Sequence, residues 1–187
     1  MYSSLMETVE ALVEACIAAR AAEDSHLPAR EILERTMAAP GDFLRVIGEP
    51  KTAGIETLYR SDRLTVLNVV WGPLMMVPTH DHAMWAVIGV YTGREDNIFW
   101  RRLPEDAPHG LEAAGARSLG AGDVVPLGPD IVHSVANPLE RMTAAIHVYG
   151  GDFFDAPRVE WEPESLTERP LDMEGIKRRF ADSNRRL

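Results

Sequence analysis

The most restrictive feature of this sequence is a succession of short apolar runs, each ended by turn residues, that fills residues 49–150. Runs at 58–59, 64–71, 75–77, 85–91, 97–103, 123–127, 132–135 and 143–149 are too short for helices. They are rich in the β-branched and aromatic residues that suit a pleated surface. Ser61, Asp62 and Arg63 separate the first two runs as a hairpin turn. Many short strands at near-regular spacing close on themselves or stack in two layers, so the pattern predicts a sandwich or barrel. The stretch 104–115, rich in Pro, Gly, Ala and acidic residues, reads as a surface loop.

Both flanks are different in kind. From residue 4 to about 20, Leu5, Val9, Leu12, Val13, Cys16 and Ile17 recur at helical spacing and give one apolar face. A second helix has Pro28 in its first turn and runs to about Met37, with Pro40 and Gly41 as its stop. These helices are expected to cap or flank the β body. Beyond residue 151 the chain is Pro-rich and acidic, with a short amphipathic helix from about Met173 to Phe180. A chain of 187 residues fits one domain. We divide it into N-terminal helices (1–48), a β core (49–150) and a C-terminal extension (151–187), and find no repeat of solenoid period.

Charge narrows the partners. The formal charge of −10 disfavours nucleic acid and anionic lipid, both of which need clustered Lys or Arg. The basic run at Lys177, Arg178 and Arg179, with Arg185 and Arg186 nearby, reads as a solvated helix face. No basic stretch leads into an apolar run with a cleavage site, and no window approaches the ~20 apolar residues of a membrane span. Cys16 is the sole cysteine, so no disulfide forms within the chain and a reducing compartment suits it. The expected location is cytoplasmic, with Cys16 as a buried small hydrophobe. A homodimer is compatible with the sequence.

The chemistry is concentrated in histidine. On a strand alternate side chains share a face, so His80 and His82 point the same way and Asp81 the other, which makes Asp81 no ligand. Pro126 and Gly128 form a turn into a run that begins near His133. In a closed barrel that strand can lie beside the first, and His133 completes a set of three. Neutral imidazoles suit iron(II), zinc, copper or nickel better than magnesium or calcium, which prefer oxygen. His26 and His109 stand in loop-like context and read as surface residues. Trp71, Met75 and Met76 read as core.

The segment 72–93, with His80 and His82, resembles the first cupin motif. Pro126 and Gly128 followed by His133 and Asn137 resemble the second. The resemblance implies a mainly β fold: the cupin, RmlC-like jelly roll or double-stranded β-helix barrel, with an N-terminal helical segment and a short C-terminal helix. Many cupins add a glutamate soon after the His pair; here those positions are Trp85 and Ala86. That absence, together with Trp71, Gly72, His147 and Tyr149, is similar to the cysteine dioxygenase (thiol dioxygenase) family, over residues 59–158. Within it the His-Asp-His-x-x-Trp pattern looks nearest to the bacterial 3-mercaptopropionate dioxygenases.

The resemblance implies iron(II) held by His80, His82 and His133, with zinc or nickel able to take its place. It also implies a small carboxylate-bearing thiol and O2 as substrates, with a sulfinate as product. Tyr149 would donate a hydrogen bond to the reacting groups and His147 would support it, although Ala145 stands where that family has a serine. Arg158 is the candidate clamp for the substrate carboxylate, Arg60 is the alternative, and Trp85 is a candidate pocket wall. Two other readings stay open: a zinc-dependent hydrolase or hydratase using the same histidines, and a non-catalytic cupin that binds a small ligand.

Overall fold

The computed structural model describes residues 8–104 and 110–187; His109 lies outside them. Its centre is two antiparallel sheets packed face to face. In chain order the strands are β1 (Gly54–Arg60), β2 (Thr65–Trp71), β3 (Met76–Asp81), β4 (Ala86–Thr92), β5 (Arg94–Arg102), β6 (Leu111–Gly120), β7 (Val124–Leu127), β8 (Val132–Ala136), β9 (Thr143–Tyr149), β10 (Val159–Trp161) and β11 (Glu168–Pro170). One sheet runs β1-β2-β9-β4-β7 and the other β11-β10-β3-β8-β5-β6. From β2 to β5 and again from β6 to β10, successive strands alternate between the two sheets, as in a double-stranded β-helix.

The middle of the first sheet is covered on both sides. Every residue of β2, β4 and β9 is buried. Val66, Val87, Ile146 and Val148 meet Leu12, Leu33, Met37 and Phe43 of the N-terminal helices α1 (Val9–Ala22), α2 (Leu27–Met37) and α3 (Pro40–Ile47). Leu67, Val69, Ile88 and Tyr149 instead face inward, toward Val77 and Val135 of the second sheet. Strands buried on both faces lose the apolar-polar alternation of a half-exposed sheet, which is why these runs read as continuously hydrophobic. Cys16 is in the helix-facing cluster, and burial pushes its thiol up to about 12.

The C-terminal helix α4 (Met173–Asn184) closes one end of the barrel. Asp172 caps it by accepting from Gly175 N at 2.8 Å, and Ile176 and Phe180 enter the interior cluster. Its far end is tied down by Asn184, which exchanges two hydrogen bonds with the Ala53 backbone at 2.8 and 2.9 Å. The fit is close at Gly72, where a Cβ would lie 1.9 Å from Ser183 Oγ.

Three expectations need correction. Pro40 does not merely stop the second helix; it opens α3, because a missing N–H does no harm in a first helical turn. Residues 111–115 are not loop but the start of β6, held by pairing along β5 that overrides their small-residue composition. The C-terminal helix runs on to Asn184, past the Phe180 end expected for it. Among the described residues no helix is long and apolar enough to cross a membrane.

Candidate metal centre

His80 and His133 are brought together by register. β3 and β8 are antiparallel neighbours in which Val77 stands opposite Val135 and His80 opposite His133. Three residues advance on β3 for two on β8, so one extra residue forms a bulge at Pro78 and Thr79. This matters for the side chains. Val77 faces the core, and simple alternation would send His80 outward; the bulge resets the parity and turns His80 inward. Pro78 is tolerated there because a bulge leaves a backbone N–H without a ladder partner. His82 follows two residues later on the same side, just past the end of β3.

The hydrogen bonds of the rings fix which nitrogens face the interior. His80 Nδ1–H donates to Pro78 O at 2.8 Å, and His133 Nδ1–H donates to Asn97 Oδ1 at 2.8 Å. Each Nε2 is thereby left with a lone pair. His133 Nε2 lies 3.2 Å from His82 Nε2, and one ligand atom from each of the three residues falls within 4.8 Å of the others. Burial drives His80 down to about 4, and burial with the neighbouring basic groups holds His82 and His133 well below the ordinary imidazole range. All three are therefore neutral at neutral pH. His80 and His133 thus offer lone pairs beside the His82 ring, and with the His82 proton on Nδ1 the three nitrogens would present a donor set for one divalent cation. The donor set fits a borderline transition metal.

A cavity adjoins the cluster, lined by His80, His82, His133, His147, Tyr149 and Arg158. Its walls include Val69, Trp71, Val77 and Phe153, and Met173, Ile176 and Phe180 of α4 form its roof. No Asp or Glu is among the described lining residues. Tyr149 is 3% exposed, its hydroxyl is 3.0 Å from His147 Nδ1, and burial raises it above the ordinary phenol range. Arg158 is 6% exposed, with its guanidinium 3.8 Å over the Phe153 ring and its Nε without a hydrogen-bond partner. Burial lowers its pKa, opposed in part by Tyr149 and Asp81.

Asp81, facing away from the cluster, determines where Arg158 sits. It accepts from Val159 N at 2.9 Å and from Arg102 Nη2 at 2.7 Å. Glu160 pairs with His80 across β10 and β3. The strand bearing His80 thus also anchors the segment bearing Arg158.

Two of the residues singled out from the sequence lie elsewhere. Arg60 is ion-paired to Asp152 and Asp155, each at 2.9 Å, and covers Phe154 outside the cavity lining. Trp85 packs in the helix-facing cluster, 6.4 Å from His26, and lies across Gly150, where a Cβ would come within 2.2 Å of its ring. Both are corrections to the pocket composition expected of them. Met76 is 51% exposed rather than core, while Trp71 and Met75 are buried.

Sequence reasoning missed Glu95, Asn97, Phe153 and the α4 roof. A signal for the first two exists. Glu95, Asn97 and Phe99 alternate along β5, so an inward Phe99, which stacks on His133 with ring centroids 6.4 Å apart, implies that all three face inward.

No protein-family model matches the chain. Solved structures with similar folds include an RmlC-like cupin family protein with a double-stranded β-helix fold from Methanocaldococcus jannaschii, 13% identical over 57% of this chain and 86% of that one, TM-score 0.45. A Cupin 2 conserved barrel domain protein from Salinispora arenicola CNS-205 is 22% identical over 51% of this chain and 72% of that one, TM-score 0.39. DMSP lyase DddQ from Ruegeria pomeroyi DSS-3 is 23% identical over 56% of this chain and 46% of that one, TM-score 0.41. The chain has the cupin-type double-stranded β-helix, which its own strand order and the alternation of strands between sheets define.

Proposed function

We propose that this protein is an iron(II)-dependent thiol dioxygenase that converts a small carboxylate-bearing thiol, 3-mercaptopropionate or cysteine, to its sulfinate with O2. The observation that carries the reading is a pairing: three convergent neutral imidazoles and a buried guanidinium share one cavity, with no acidic residue among its described lining residues. His80, His82 and His133 would hold the metal. When bound, iron(II) supplies the open coordination and redox chemistry by which a thiol and dioxygen combine, both oxygen atoms ending on sulfur.

The chain's own residues supply the rest. Arg158 would bind the substrate carboxylate through its planar fork, in an environment where burial strengthens the pairing. The stacking on Phe153 holds that fork in one plane. Tyr149, held by His147, is the polar group available to hydrogen-bond the reacting thiol. Val69, Ile176 and Phe180 keep bulk water from the reacting atoms. An amino group on the substrate would find no carboxylate among the described lining residues, which favours 3-mercaptopropionate over cysteine.

Oxygen-electrode assays of the iron-loaded protein test this reading. Uptake should be fastest with 3-mercaptopropionate, slower with cysteine and slowest with cysteamine, which has no carboxylate. Uptake with none of the three, in protein that has bound iron, would refute it.

A further inference from the structure

Glu95 is a fully enclosed carboxylate, 0% exposed, that the proposed chemistry above does not use. It lies near the start of β5, which Gly93 swings against β9. There φ is +80° and an added Cβ would fall 2.1 Å from Thr143 Oγ1. Arg94 N donates to that same Thr143 Oγ1 at 2.9 Å, so the beginning of β5 is pinned to β9. Glu95 therefore reaches the inward face of β9, the face shared by Ala145, His147 and Tyr149.

Its contacts there are specific. Oε1 accepts from Trp71 Nε1 at 2.7 Å and lies 3.5 Å from His147 Nε2. His147 is the only basic side chain within ion-pair reach of Glu95 among the described residues. Glu95 Oε2 and His147 Nε2 both lack a hydrogen-bond partner, and buried polar atoms in that position call for one. The other ring nitrogen, Nδ1, is 3.0 Å from the Tyr149 hydroxyl. Ala145, two residues earlier on the same face, has no hydroxyl to offer the ring.

We propose that Glu95 is a positioning residue that sets the tautomer of His147 and, through it, the direction of the Tyr149 hydroxyl. A carboxylate beside Nε2 requires the proton there, because a lone pair on that nitrogen would face a negative charge. Nδ1 is then the acceptor, so Tyr149 O–H donates to His147, and the phenol oxygen meets an incoming thiol as an acceptor. This direction is opposite to the one the family resemblance implies. The inference rests on the thiol-oxidising reading for its functional meaning, but the ring state can be tested without it.

The test is nitrogen NMR of the full-length, histidine-labelled protein loaded with zinc, which is diamagnetic, alongside Glu95→Gln. In the native protein His147 should carry its proton on Nε2. In the variant the amide oxygen stays with Trp71 and the negative charge beside Nε2 is gone, so the Nδ1-protonated form should gain population. A Glu95 that only supports Trp71 would leave the tautomer untouched. Turnover of the iron-loaded variant should fall about tenfold or more, with KM and iron content little changed. A native ring protonated on Nδ1, alone or together with Nε2, would overturn the proposal, and so would a tautomer unchanged by Glu95→Gln. The first of these needs no variant to fold. If no thiol is oxidised, the functional reading fails while the ring measurement still decides the role of Glu95.

Discussion

The two faces of β9 are buried alike and built differently. Ala144, Ile146 and Val148 point outward to the helices, and Thr143, Ala145, His147 and Tyr149 point into the barrel. The outward face has no polar side chain to satisfy. Along the inward one, His147 Nε2 has no partner, Tyr149 leans on His147, and Arg158 and three imidazoles stand across the cavity. Burial alone thus does not mark a functional surface. Polar atoms held in an enclosed space with bonding capacity left over do so, because such atoms are costly unless something else arrives to use them.

Substitutions on the two faces should therefore separate activity from stability. The largest effect belongs to the cluster: His133→Ala removes one of three ligands, and both iron content after desalting and oxygen uptake should drop to background, as metal analysis and an oxygen electrode would register. Next comes Arg158→Met, which keeps the volume of the side chain and removes its charge. Steady-state kinetics should show KM for 3-mercaptopropionate raised roughly ten- to a hundredfold, from the loss of about 1.5–3 kcal/mol of charge-assisted hydrogen bonding, while cysteamine oxidation changes little. Tyr149→Phe should lower kcat about tenfold or more and leave iron retention near the native level; equal losses in both would assign Tyr149 to the scaffold. Ile146→Ala, on the other face, should lower unfolding free energy by about 2–5 kcal/mol in denaturant melts, with activity per bound iron the least affected of the four.

The comparison also explains what could be read in advance. His80, His82 and His133 were legible because strand alternation and turn residues are local signals, although the bulge at Pro78 that gives His80 its inward face is not visible in the spacing. Arg158 was legible only through family resemblance. Its position depends on Asp81 anchoring Val159 across a separation of 78 residues, which no local pattern records. Arg60 was suggested by the family resemblance and Trp85 by its place three residues after His82, yet Asp152 and Asp155 hold the first outside the cavity and Gly150 receives the second on the helix side. Glu95 was hidden in a run of charged residues, Arg94 to Asp96, that reads as a solvated turn until the inward parity of Phe99 is known. The α4 roof was hidden for another reason: an amphipathic pattern says that a helix covers something without saying what.

X-ray absorption of the iron(II)-loaded protein, before and after addition of 3-mercaptopropionate, tests the account most directly. Iron should be ligated by three imidazoles, with a sulfur neighbour appearing when the thiol is added. Iron bound through oxygen ligands without imidazole, or a spectrum indifferent to the thiol, would contradict it.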